Sequence, residues 1–585
     1  MTNRAIFAGA FTLLLGVANT SSAQTGTCSA ATASLFLDIA NVRARIVNNG
    51  NLFWRGDPYV YEVPKGGGAS ALFTGGLWFG GFLDTDLRVT AARYGDYEFW
   101  AGPLDESGNP PPDCFEFNRI WRINQSDIDN VDAGGAPAVD LEEWPTGLGA
   151  PTLTPAEDDG IDNDRDSSTD EPGEMRSITE EVLALPLSQR IDRVIDLELG
   201  ERPDMIGDQM LWWIMNDRGN THESTGSSPI GLEVHGQAFA VNLPGHIANA
   251  TFYRYVVFYR GTAPLTDAYF GVFVDPDLGD FQDDYVGSDS VGQYGYVYNA
   301  DNDDQGGYGP NPPAVAVGML QTPVTPSPGD TAWVSGMRVP DFRNVGMTSF
   351  VTYTDGGAAN GTPSSKSDYH QFMRGVWKTG APIRVGGDGL NVDPGAPVTR
   401  FMYQGDPVTA EFWSEPNVDG QNSASVPSDR KWVQSSGPIT LNPGDRQELA
   451  FGIAWGRGDS NLDSIVEMRD AIAAVRGYFE SLFPVINVSV EEADFADDNG
   501  IALHEPHPNP ASGEVRITFT SSEQLHVRVD VLDALGRRVA LVYDAAASAG
   551  GHSIEYDTSG LPSGIYFVRL TSDSSHHVAS LVVTH

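Results

Sequence analysis

ATFYRYVVFYRG, residues 250–261, is the stretch whose reading decides the fold. A strand with one wet face alternates apolar and polar residues, because successive side chains point to opposite sides of the sheet. Here Phe252, Tyr255, Val257 and Tyr259 do not share one parity, so bulky residues stand on both faces. That predicts a strand covered on both sides, and so sheet packed on sheet. Upstream, GLEVHGQAFAVN (231–242) alternates as a half-buried strand does. ALFTGGLWFGGFLDTDLRVTAARYGDYEFWAGPL (71–104), FVTYTDGG (350–357) and KWVQSSGPITLNPGDRQELAFGIAWG (431–456) continue the pattern of short strands and glycine corners. FTGGLWFGG has paired glycines but no strand-GxGxxG-helix setting, so it reads as turn packing around Trp78 rather than a nucleotide loop. One helix interrupts the theme. Ile465, Met468, Ile472, Val475, Phe479 and Leu482 recur at steps of three and four, an apolar stripe capped near Asp459–Asp463 and stopped by Pro484.

The chain has 585 residues, enough for about three to five domains. Its 65 Gly and 38 Pro follow no collagen-like period, which again favours strands joined by turns. A formal charge of −44 argues against nucleic acid or an anionic membrane as partner, since phosphates would repel it. Lysine is confined to Lys65, Lys366, Lys378 and Lys431. The start, MTNRAIFAGAFTLLLGVANTSSAQ, has an early Arg4, a short apolar run and small residues up to Ala23, which is the layout of a signal peptide (1–23) read by the Sec translocon. No later apolar run is long enough to span a bilayer, so no transmembrane helix is expected in the mature protein. In an oxidising compartment Cys28 and Cys114 are expected to pair.

The expected fold is mostly β: a multi-domain β-sandwich body with one prominent helix (~461–483) and a C-terminal immunoglobulin-like β-sandwich. The divisions are a signal peptide (1–23), an N-terminal β-rich region (24–127), an acidic Asp/Gly/Pro-rich loop or insertion (128–176), a central β-sandwich body (177–486), a linker (487–503) and a terminal module (504–585). In that module Leu525, Val527, Val529 and Val531 share one parity, the mark of one buried face. HPNPASGEVRITF, VDVLDALGRRVALV and LPSGIYFVRL occur in order within it, carrying Pro508, Asn509, Pro510, Gly536, Arg537, Leu561, Pro562, Gly564 and Tyr566. These motifs resemble the type A C-terminal sorting domain of the type IX secretion system of Bacteroidota and relatives. The resemblance implies passage through the periplasm, recognition by the type IX machinery, and delivery to the outer-membrane surface or the medium. GGLWFGG, DGIDNDRDSSTDE and DPDLGDFQDDYVGSDS make the body similar to large uncharacterised secreted proteins that end in the same module.

Chemistry is concentrated in carboxylates. In DGIDNDRDSSTDEPGE the residues Asp162, Asp164, Asp166, Ser168 and Asp170 have the alternation that can wrap oxygens round Ca²⁺, although Ser167 stands where such loops favour glycine. Asp275, Asp277, Asp301 and Asp303 form a second acidic region whose repulsion a cation would relieve. No HExxH, GxSxG or P-loop occurs. His222, His235, His246 and His370 read as ordinary hydrogen-bonded histidines, and Trp212, Trp213, Trp377 and Trp413 as core. GRGDS (456–460) contains an adhesion tripeptide, but Asp459 and Ser460 are better used as the helix cap. The expected function is therefore a secreted or cell-surface, calcium-stabilised binding or structural protein rather than an enzyme. The alternatives are a carbohydrate-active or glycan-binding protein with a surface glycan as partner, and a surface-layer or adhesive component.

Overall fold

The computed structural model describes residues 27–54, 61–95, 97–156, 175–482 and 501–583, the last range excepting 505, 508, 510, 522–524, 534–537, 549, 563 and 573–575. The signal peptide, the Asp162–Asp170 loop, most of the linker, and Pro508, Pro510, Gly536 and Arg537 lie outside the described residues.

Two nine-stranded antiparallel sheets form the body. The first runs Ser34–Leu37, Arg43–Val47, Asn51–Leu52, Thr74–Leu83, Leu265–Asp275, Lys431–Leu441, Ser349–Tyr353, with Tyr61–Glu62 and Asp86–Ala91 paired at its side. The second runs Asp284–Asp289, Tyr294–Asn299, Ala314–Gln321, Arg446–Gly456, Ala250–Tyr259, Leu232–Ala240, Gln209–Asn216, Trp100–Ala101, with Trp121–Asn124 paired to Gln209–Asn216. Strands from 34–124 and from 209–456 thus share both sheets, so the N-terminal region and the central body are one packing unit.

The mixed parity of residues 250–261 has a direct cause in this layering. Tyr253, Tyr255, Val257 and Tyr259 face the first sheet in the larger core, with Leu77, Val315 and Phe451. Phe252 faces the other way, into a second core closed by the helix Asn461–Leu482. Ile465, Met468, Ile472, Val475 and Phe479 of that helix are buried against Tyr294, Tyr296, Ala316 and Ala454. The helix begins where Ser460 Oγ accepts from Asp463 N at 3.0 Å, while Arg457 donates to the carbonyls of Asn311, Tyr308 and Pro310, so the Arg-Gly-Asp stretch serves as cap and tether. Gly456 lets the helix sit directly on its strand: a Cβ there would lie 2.2 Å from Met468 N.

Two readings are corrected. The FTGGLWFGG stretch is a central strand, not turn packing, and its glycines admit neighbouring backbone: a Cβ on Gly76 would lie 2.1 Å from Ala92 O. The part of the acidic insertion up to residue 156 is not a loop. It holds the helices Gln125–Asp132 and Val139–Glu142, and buries Ile128, Leu141, Trp144 and Leu148 against Trp121 and Trp212. Its apolar anchors are few and unevenly spaced, so no period betrayed them.

The terminal module is a sandwich of a three-stranded and a four-stranded sheet with its own core, including Val515, Phe519, Val527, Val529, Val531, Val568 and Leu570. Asn509 Oδ1 accepts from Val582 N at 2.7 Å, and Tyr566 donates its hydroxyl hydrogen to Pro562 O at 2.9 Å, so two of the motif residues pin strand ends.

Candidate metal centre

The strand Leu265–Asp275 ends at the rim of the first sheet, and its register sets Val274 opposite Trp432. Asp275 therefore comes beside Lys431, and the chain leading into the strand Lys431–Leu441 brings Asp429. Among the described residues, Asp275, Asp277 and Asp429 each offer one oxygen within 4.8 Å of the other two. Asp277 has φ 42°, a left-handed conformation that Asp tolerates better than most residues.

Asp275 is only 3% exposed. Its Oδ2 accepts from the Tyr94 hydroxyl at 2.6 Å, while its buried Oδ1 finds no hydrogen-bond donor. Asp429 repeats this arrangement: Oδ2 accepts from Lys431 Nζ at 2.6 Å, and Oδ1 is buried without a donor. Lys431 also reaches Asp355 at 3.3 Å. Burial first, and then the charge of Asp277, push the Asp275 carboxyl up to about 8; burial and Asp429 push Asp277 up to about 6. One ammonium thus faces several carboxylates, and two buried oxygens lack the partner that burial normally demands.

Asp301 and Asp303 sit elsewhere, exposed, with Asp303 N donating to Asp301 Oδ1 at 2.9 Å. The buried residue of their loop is Asp304, which accepts from Asp280 N and Tyr308 N. Asp284 is fully buried, with Oδ2 accepting from Leu278 N at 3.1 Å and Oδ1 without a donor; burial holds its carboxyl well above the usual range. Asp429, Lys431 and Tyr94 are members of the centre that the sequence did not single out. The available signal was Lys431 itself, a rare lysine opening a buried strand.

His246 is half-buried on the turn Gly245–Asn249, and the remaining candidate groups are spent on internal contacts. His222 bonds Val89 O and Asp217 O, His235 bonds Glu233, and His370 bonds Asp267 O. Trp212, Trp213, Trp377 and Trp413 are buried. Cys28 and Cys114 form a disulfide with their Cα atoms 5.3 Å apart, against Trp100. A cavity of about 290 Å³ opens between Tyr294, Tyr296, Gln404, Asp406, Glu411 and Arg469.

Among known protein families, the secretion system C-terminal sorting domain matches residues 506–584, the terminal module. The chain thus ends in a sorting domain of the type IX system, which marks it for export to the cell surface or the medium. No curated protein matches the chain. A solved structure of a polysaccharide lyase is similar over 60% of this chain and 34% of its own, at 9% identity and a TM-score of 0.18. The chain spans about a third of that protein, and a likeness at this level assigns no activity.

Proposed function

We propose that the chain works outside the cell as a non-catalytic protein whose rigid double-sheet body binds or builds. The observation that carries this reading is the sorting domain at 506–584 behind a body of two wide sheets, the first backed by the short helix Lys366–Met373 and the second by the helix Asn461–Leu482. The burial of His222, His235 and His370 and of Trp212, Trp213, Trp377 and Trp413 in structural contacts supports a scaffold over a catalyst. A signal peptide at 1–23 would first bring the chain through the Sec translocon to the periplasm. Protease added to intact cells, together with assay of the medium, tests the reading. The body should be cleaved on whole cells or recovered in the medium; full protection inside intact cells would contradict it.

A glycan-binding role is favoured by one observation, the polar cavity edged by Tyr294 and Tyr296. Its carboxylates, amide and guanidinium suit the hydroxyls of a sugar. Binding to a polysaccharide panel that falls when Gln404 and Glu411 are replaced by Ala would support that role. Unchanged binding would remove it.

A further inference from the structure

We infer that Asp275, Asp277 and Asp429 are the protein ligands of a calcium ion that ties the rim of the first sheet together. Three carboxylates approach within 4.8 Å, a spacing that oxygens on one Ca²⁺ adopt when each lies 2.3–2.6 Å from the ion. The independent observation is the unpaired Oδ1 of Asp275, a residue only 3% exposed; Oδ1 of Asp429 is likewise buried without a donor. Such oxygens carry a desolvation cost that a bound cation removes. Lys431 offsets one of the negative charges and leaves an excess that a dication matches. The donors are all hard oxygens, with no His or Cys in the group, which favours Ca²⁺ over zinc; the irregular, half-open rim suits calcium's flexible shell better than magnesium's octahedron. The ion would join two segments distant in sequence: the end of strand Leu265–Asp275 with the turn that follows it, and the entry to strand Lys431–Leu441.

The test titrates Ca²⁺ by calorimetry into the chelator-treated mature chain carrying Asp162→Asn and Asp164→Asn, so that the separate acidic loop cannot contribute. This parent should bind calcium and melt higher with it than with equimolar magnesium. Asp277→Asn and Asp429→Asn, both at half-buried positions, should each weaken binding at least tenfold while circular dichroism stays unchanged. Asp275→Asn should abolish the response and yet melt higher than the parent in chelator, a result that mere misfolding cannot produce. Absence of calcium binding by the folded parent, equal shifts with magnesium, or undiminished binding by the Asn variants would each overturn the assignment.

Discussion

Removing Glu448 should destabilise the body more than removing almost any surface charge. Arg254 on strand Ala250–Tyr259 donates to both carboxylate oxygens of Glu448 on strand Arg446–Gly456, at 2.8 and 2.7 Å. The guanidinium also reaches Gln237 Oε1 at 2.6 Å and Ser335 Oγ at 2.9 Å, and Ser335 donates to Glu448 at 2.7 Å. The pair is nearly closed off, with side-chain exposures of 11% and 3%. Glu448→Ala leaves the Arg254 charge buried without its partner, which costs about 3–5 kcal/mol. Replacing both, as Arg254→Met with Glu448→Leu, should recover most of that loss, because an apolar pair of similar volume avoids the desolvation of two ions. All 12 tryptophans lie between Trp54 and Trp455, so their fluorescence during urea unfolding reports the body alone. Burial opposes the Glu448 carboxylate, but the Arg254 charge and the bonds from Arg254 and Ser335 outweigh it and hold it below the usual range. A depressed carboxyl stabilises the fold above its unfolded value and loses that contribution on acidification. The gap between wild type and Glu448→Ala should therefore narrow from pH 7 towards pH 3. A single variant costing under about 1 kcal/mol, or a double variant no better than the single, would refute the reasoning.

Three further outcomes are expected. Gly456→Ala should lower body stability by about 1–3 kcal/mol or more in the same urea assay, because the new methyl meets helix backbone at Met468 rather than a yielding side chain. In chelator, Asp275 carries a carboxyl raised from 3.8 to about 8, so its contribution is full at low pH and lost as pH rises towards 8. Between pH 5.5 and 7.5, wild type should lose roughly 2–3 kcal/mol relative to Asp275→Asn, at about 1.4 kcal/mol per unit, and saturating calcium should cancel the difference. Reduction of Cys28–Cys114, which closes a separation of 86 residues, should cost about 4–5 kcal/mol by the loop-entropy estimate, read as a lower urea midpoint.

Local patterns were legible where one element alone set them. The helix expected at about 461–483 spans Asn461–Leu482, because its apolar stripe follows a single period. The double covering of residues 250–261 was legible for the same reason, since parity records which faces are buried. What sequence could not convey was partnership at long range. Asp429 is 154 residues from Asp275, and only the pairing of strands Leu265–Asp275 and Lys431–Leu441 sets them together. The sharing of both sheets by early and late strands was hidden likewise, because antiparallel pairing leaves no mark of its partner in either strand. In the terminal module, the parity opposite to Val527, Val529 and Val531 sets Asp530 on the outer face, yet it is 1% exposed, and Arg528 and Arg569 donate to it.

The export claim is tested most directly by deleting residues 506–584 in the native cell and measuring where the body accumulates. The body has its own two cores and its own disulfide, so the truncated chain should fold, keep its tryptophan fluorescence and remain inside the outer membrane. Appearance of the truncated body on the cell surface or in the medium at the full-length level would contradict the account.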